Sequence, residues 1–292
     1  MTPFFVLIRI LANPFSNVFQ KQLAERSASP IFIIGIVHAC LSLVCVPLLL
    51  MSGAAISIGV WVNMLVAAVL AVSGNTLLVY ALSSTDLSIL GPVNAYKSIV
   101  SLILAIFLIG EFPSAAGVAG VLLIVVGSYL VVDREADEPR RSAFVVLFRE
   151  RGVQLRLAAL VLSATEAVFL KRAILLSSSP WVVFALWSIL GVPLSAAALA
   201  VDRARLADQA TSVRGFWRTY LALAVTTGLM QLTTVLTFGR LQVGYSLALF
   251  QLSTIVTVVL GHRYFQEKNV GRRLAGSAVM TVGAMMIVTV GF

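Results

Sequence analysis

Charge is the scarcest commodity in this sequence. Asp, Glu, Lys and Arg together make up 11% of its 292 residues, where a soluble domain carries about 25%. So few charges cannot solvate a globular exterior, and a water-soluble fold is excluded. Cysteine is nearly absent too. Cys40 and Cys45 lie five apart in one apolar run; on a helix that spacing points them in different directions, so neither a disulfide nor a metal-ligating pair is implied. There is no glycine-rich phosphate loop, no His/Cys/carboxylate metal set and no Ser/His/Asp constellation. Neither an ATP motor nor an enzyme is expected, with no catalytic residue, no metal and no cofactor. Acidic residues number 12 against 21 basic ones. The excess does not point to nucleic acid, because the basic residues sit between apolar runs and not on one contiguous face.

What the sequence has in abundance is hydrocarbon: 60% of residues are hydrophobic and mean hydropathy is +1.01. A bilayer crossing takes about 20 predominantly apolar residues. Ten runs meet that need, near 3–20, 30–50, 60–82, 87–109, 114–132, 154–176, 180–200, 216–239, 244–264 and 271–291. The first has no basic stretch before it and no small-residue cleavage site after it, so it reads as a retained helix. Four links are only a few residues long: Ser83 to Asp86, Gly110 to Pro113, Ser177 to Ser179 and Arg240 to Val243. Links this short make neighbouring helices antiparallel. Pro30, Pro113 and Pro180 fall at run starts, where a helix accepts proline. Two connections are long. One, around 134–153, carries a solvated stretch followed by apolar residues flanked by arginines, a pattern suited either to the membrane interface or to a plain linker. The other, Val201 to Gly215, reads as a hydrophilic loop.

Comparing the chain with itself shows a repeat. At an offset of 150, Phe19, Lys21, Ser29 and Pro30 meet Phe169, Lys171, Ser179 and Pro180. At 156, Gly59, Trp61, Glu111, Gly120 and Gly127 meet Gly215, Trp217, Glu267, Gly276 and Gly283, and Asn75 meets Gln231. The order is kept and the helices correspond, which duplication explains better than chance. Five helices is an odd number, so the second copy enters the membrane from the opposite side. The expected fold is therefore an all-α integral membrane protein of ten helices, two inverted five-helix repeats (1–133 and 154–292, joined by a cytoplasmic linker 134–153) around a central cavity. Inverted repeats of this kind typically build transporters with a midplane site between the halves.

Ala81 to Val132 carries an Ala-Leu pair closing helix 3, a proline in helix 4, Gly-Glu after helix 4 and a glycine-rich helix 5; Gly244 to Thr289 repeats this more weakly, with Gln-Glu for Gly-Glu and no proline in helix 9. With its five-plus-five arrangement, the chain resembles the drug/metabolite transporter superfamily, in its EamA-type branch. The resemblance implies a secondary transporter, often an exporter of amino acids, metabolites or toxic compounds. It also implies cytoplasmic termini, whereas charge sidedness says otherwise. Sixteen of the 21 Lys and Arg flank the long-loop side against three (Lys171, Arg172, Arg240) on the other. By the positive-inside rule the long loops are cytoplasmic and both termini periplasmic or extracellular.

Ionisable groups within spans are costly, by roughly 2.5–3.5 kcal/mol on insertion scales, and so are functional candidates. Lys97, in helix 4, shares a face with Asn94, Ser98 and Ser101, and Gly91 and Pro92 before it loosen the helix. As a point charge it suits an acidic group and resembles the cavity lysines of the sugar-phosphate and nucleotide-sugar branches; the alternative is a structural partner on a neighbouring helix. Glu166, in helix 6, is either a proton carrier or the neutralising partner of Lys97 or Arg9. In the superfamily that the chain resembles, the four-helix multidrug branch uses a helix-1 glutamate for proton and substrate exchange, and helix 6 is the counterpart of helix 1, though the local motif does not match closely. Arg9 forms a stripe with Asn13, Ser16 and Gln20, but so near the N-terminus its expected role is to snorkel to the surface, with a cavity charge as the alternative. His38 is a candidate proton shuttle, though a neutral ring satisfied by a carbonyl is the expected outcome. Asn13, Ser16, Asn75, Gln231 and Gln251 complete the candidate substrate contacts. Trp61 and Trp217 read as interface anchors, the paired glycines as sites of close helix packing, and Glu111 and Glu267 as complements to the dipoles of helices 5 and 10.

The function expected is secondary active export of a small polar metabolite or amino-acid-like solute across the inner membrane. The partners are that solute and the lipid bilayer, without nucleic acid or ATP, as monomer or homodimer. The alternatives are strict antiport of phosphorylated or nucleotide-linked solutes and, in another class, a non-transport subunit handling lipid-linked substrates. The charge count makes one prediction at once: alkaline phosphatase fused after Phe292 is active on the outer side, and an inactive fusion with a fluorescent cytoplasmic reporter reverses the topology.

Overall fold

In the computed structural model, residues 1–26, 28–85, 90, 94, 96–131, 151–177, 179–201, 206–265 and 273–291 are described. They form eleven helices: α1 (Thr2–Glu25), α2 (Pro30–Ser52), α3 (Ile58–Ser84), α4 (Tyr96–Ile109), α5 (Ala115–Val131), α6 (Arg151–Ser177), α7 (Pro180–Val201), α8 (Leu206–Phe238), α9 (Val243–Phe250), α10 (Ser253–Phe265) and α11 (Arg273–Gly291). Since α9 and α10 are two pieces of one rod, they make the ten spans expected. Six helices are long and apolar enough to cross a bilayer, and α4, α5 and the start of the α9–α10 rod are shorter apolar helices. Large apolar side chains such as Leu43, Leu50, Phe107 and Trp217 are exposed, which in this composition is a lipid-facing coat. Trp61 also sits on that coat.

Local chemistry sets the ends. Pro30 occupies the first turn of α2, where its missing N–H has no helical partner to lose. Gly53 (φ 58°) ends α2 in the left-handed conformation that glycine adopts without strain. Ser57 Oγ accepts from Val60 N at 3.4 Å to start α3.

Two expectations are corrected here. Val201 to Gly215 is not a loop: helix begins at Leu206 and runs to Phe238, bent at Phe216 (φ −126°, ψ 27°). The stretch before the bend is held from the side, because Gln209 Oε1 accepts Ser29 N at 2.8 Å and Arg26 lies over the Phe216 ring at 4.1 Å. A hydrophilic helix of this kind looks like a loop by hydropathy. Glu111 is not within the first turn of α5 either; it precedes the helix and reaches across the bundle instead. Its Oε1 pairs with Lys171 Nζ at 3.3 Å and its Oε2 accepts Val243 N, the first residue of α9, at 2.9 Å. Lys171, counted above as a flanking charge, is buried and also donates to the carbonyls of Phe238 (2.5 Å) and Leu241 (3.0 Å). This cluster ties the α4–α5 link, α6 and the α8–α9 link together at the end of the bundle that holds the N-terminus. Its counterpart Glu267 and most of the 134–153 linker lie outside the described residues, as do Gly91 and Pro92; α6 already begins at Arg151.

The helices pack α3 on α6, α1 on α8, α2 on α7, α5 on α11, α4 on α9 and α6, and α1 on α10. Numbering the rods one to ten and exchanging each with the rod five places away returns the same set of pairs. The fifth and tenth rods meet through glycine. A Cβ built at Gly120 would fall 2.8 Å from Gly283 O, and one at Gly127 would fall 2.7 Å from Gly276 O. The two contacts fix these rods as antiparallel, and the repeat offset of 156 interchanges them. Replacing Gly120 by Val forces backbone against backbone, with an expected loss of ~1–3 kcal/mol; thermal unfolding in detergent checks it, and an unchanged midpoint refutes the close approach.

Candidate functional site

A cavity of about 80 Å³ opens between the rods, room for roughly five to eight waters or a small solute at about 10–15 Å³ each. Its lining draws on α1 (Arg9, Asn13, Ser16, Asn17, Gln20), α3 (Gly74, Asn75, Leu78), α4 with the residue before it (Lys97, Asn94) and α6 (Arg156, Ala159, Ser163, Glu166, Ala167, Leu170). Trp187 from α7, Met230, Gln231, Thr234 and Phe238 from α8 and Leu247 from α9 complete it. Gln20 and Leu78 lie near the ends of α1 and α3, and Arg156 near the start of α6. Leu170 and Phe238 stand beside Lys171 at the opposite end, so the cavity spans the middle of the bundle and approaches both ends.

Four charges face it. Glu166 is buried, and its Oε1 accepts Trp187 Nε1 at 2.9 Å. Lys97 lies within Coulombic reach of Glu166, Arg9 and Arg156, yet no hydrogen bond or ion pair ties its ammonium to a described residue. Arg9 does not snorkel. It turns inward, donating from Nε to Thr234 Oγ1 at 2.7 Å and lying over the Phe250 ring at 4.9 Å, with Nη1 buried and unpartnered. The apolar face that α1 must present to lipid leaves its polar stripe only the interior. Arg156 was invisible to sequence reasoning, which counted it among the flanking loop charges. It is buried in the second turn of α6, its Nε 3.4 Å from Leu90 O.

Neutral polar groups fill the remaining wall. Ser16 and Thr227 share a hydrogen bond at 2.9 Å, and Asn13 Nδ2 donates to Ser253 Oγ at 3.2 Å. Gln20 Oε1 and Gln231 Nε2 are buried with no partner, an arrangement costing about 1–3 kcal/mol each unless water or a ligand satisfies them. Of the residues singled out from sequence, Lys97, Asn94, Asn13, Ser16, Asn75, Gln231, Glu166 and Arg9 line the cavity together. Ser101, Gln251 and His38 do not. Ser101 is buried against α6, Oγ to Ala164 O at 3.3 Å. Gln251 stands behind Asn94, whose Nδ2 donates to its Oε1 at 3.2 Å.

That last contact joins two breaks. The chain turns at Asn94 before α4, with Lys97 N reaching Asn94 O across three residues. It turns again at Gln251 and Leu252 between α9 and α10, where Gln251, Leu252, Thr254 and Ile255 likewise donate three residues back. The second break carries neither glycine nor proline, so no sequence signal marked it. Discontinuous helices in membranes are tolerated where they line a cavity.

His38 acts one layer out. Its Nδ1 lies 3.2 Å from Ser188 O; a carbonyl only accepts, so that nitrogen bears the proton and donates. The ring sits 4.5 Å from the Trp187 ring. Gly191 makes the room, since any Cβ there would overlap the imidazole. His38 thus wedges Trp187, and Trp187 holds Glu166. Trp187→Phe deletes a hydrogen bond to an ionisable group, expected to lower stability by roughly 1.5–3 kcal/mol. Trp61→Phe and Trp217→Phe on the lipid coat should stay within about 0.5 kcal/mol. Equal unfolding midpoints for all three would remove the role given to Trp187.

Residues 3–133 match the model of the EamA-like transporter family. No curated protein matches the chain. Among solved structures, one titled only "Crystal structure of protein" is similar at 17% identity and a TM-score of 0.72, over 99% of this chain and 97% of that one. At that identity the likeness speaks for the fold alone.

Proposed function

We propose that this chain, whose residues 3–133 match the model of the EamA-like transporter family, a family of membrane transporters, is a secondary active transporter exporting a small polar solute with an acidic group, by alternating access. One observation carries this reading: a charged and polar cavity lies deep in the bundle, where two interrupted rods meet. An apolar scaffold gains nothing from four ionisable groups placed there, and their cost points to use.

The rod exchange noted above, with the antiparallel glycine contacts, supports two inverted halves, 1–133 and 154–292, rocking about the cavity. Lys97 anchors the acidic group of the solute, while Asn94, Asn13, Ser16, Asn75 and Gln231 meet its neutral polar atoms. Glu166 exchanges protons, held by Trp187 and, behind it, His38. Glu111 and Lys171 latch the end that bears the N-terminus; opening that end means parting this pair and freeing three carbonyl and amide contacts. Arg156, Lys21 and Lys171 are buried, and without them the flanking charges still stand at fourteen to two. This supports cytoplasmic long connections in an inner membrane. The Lys97 ammonium, with no hydrogen bond to a described residue, also suits a second reading, strict exchange of phosphorylated solutes.

In proteoliposomes, a panel of labelled amino acids, organic acids and sugar phosphates should show counterflow of at least one compound, and Lys97→Ala should abolish it. Glu166→Gln should end accumulation driven by a proton gradient while sparing counterflow. Strong trans-stimulation with no proton movement selects the exchanger. Unaltered kinetics in the Lys97 variant removes this residue from the site.

A further inference from the structure

The charges that line the cavity do not cancel. Arg9, Lys97 and Arg156 bring three positive charges and Glu166 one negative, an excess of two with all four ionised. The cations are also short of partners. Lys97 has no hydrogen bond to a described residue, Arg9 Nη1 is buried without one, and Arg156 directs Nε at a carbonyl 3.4 Å away. The only carboxylate facing them among the described lining residues is already engaged by Trp187.

Like charges gathered inside an apolar bundle raise its energy, and removing a counter-charge from a buried group is strongly destabilising. Among the described lining residues no further carboxylate offsets this excess, and negative charge that enters from outside relieves it. A zwitterion adds none, and a monoanion leaves one positive charge over. The cations also stand at different levels. Arg9 lies in the third turn of α1, counted from the N-terminal end of the bundle; Arg156 lies in the second turn of α6, counted from the opposite end. Lys97 is within Coulombic reach of both. Guanidinium groups pair with carboxylate and phosphate oxygens in a bidentate fork, and an ammonium serves either as a point charge.

Resting on the transporter reading above, we propose that the solute is a small dianion, a dicarboxylate or a phosphate monoester, recognised by Arg9, Lys97 and Arg156 together. The charge balance sets the sign of two opposite effects. Removing a cation weakens dianion binding; removing the carboxylate strengthens it.

The experiment measures thermal unfolding of the purified full chain at pH 7.5 with succinate, glycerol 3-phosphate, lactate, alanine or choline, followed by counterflow of each in proteoliposomes. At least one dianion should protect and exchange, with lactate much weaker and alanine and choline inert. Protection by only one of the dianions identifies carboxylate or phosphate as the source of charge. Arg156→Gln should reduce dianion affinity ~10–100-fold, as loss of one charged hydrogen-bonding partner does. Glu166→Gln, which keeps an oxygen for Trp187, should raise it. Should Arg156→Gln fail to fold, Glu166→Gln alone decides the sign. Protection and counterflow by alanine, choline or lactate without the dianions overturns the dianion and leaves the transporter standing, as does unchanged or weakened dianion binding in Glu166→Gln. No counterflow of any of the five overturns both.

Discussion

Inside the bundle, Glu166 is held from one side by Trp187 Nε1 at 2.9 Å and faces Lys97 and Arg9 across the cavity. Most of what is unusual in the structure answers to the cost of keeping those charges away from water. They are affordable only if a cavity admits water or solute, and a cavity in a bundle of apolar rods needs polar walls. The stripe on α1, Asn94 backed by Gln251, and the buried ends of Gln20 and Gln231 supply them. The support extends outward: Gly191 leaves space for His38, His38 packs on Trp187, and Trp187 fixes the carboxylate.

The same economy governs the backbone. Interrupting a rod frees carbonyl and amide groups that lipid cannot satisfy. Both interruptions face each other across Asn94 and Gln251, where partners are at hand, while the lipid coat is continuous helix and hydrocarbon. Stiffness comes from elsewhere, above all from the glycine-to-carbonyl contacts of the fifth and tenth rods, which bring two backbones closer than side chains would permit. The result is a rigid pairing at one flank, a loosened pair of rods at the cavity, and at one end a latch of Glu111 and Lys171 that joins rods from both parts of the chain.

Much of this could be read from the sequence because hydrocarbon thickness sets a long, coarse signal. Ten apolar runs become ten rods, and Lys97 and Glu166 stand out simply as charges within such runs. The glycines spaced seven apart foretold a packing face, though not that Gly120 would meet Gly283. What escaped was information about direction or distance. Arg156 and Arg9 lie near run ends, where hydropathy cannot distinguish a side chain that turns inward from one that reaches for water. The helix from Leu206 is too polar to look like membrane and too short to show a period. The break at Gln251 has no glycine or proline to announce it. Glu111 and Lys171 are separated by sixty positions, and only the fold makes them a pair. The family match, over residues 3–133, bears out the resemblance read from the first-half motifs.

The central claim is that one cavity, built by both parts of the chain, is reached in turn from each side of the membrane. After Cys40 and Cys45 are replaced by Ala, a cysteine at the Ser163 position, on the cavity wall, can be challenged with a membrane-impermeant thiol reagent in right-side-out and inverted vesicles. Alternating access predicts labelling from both faces, with addition of solute on one side slowing labelling there. Labelling from a single face under every condition, or none, would contradict the account.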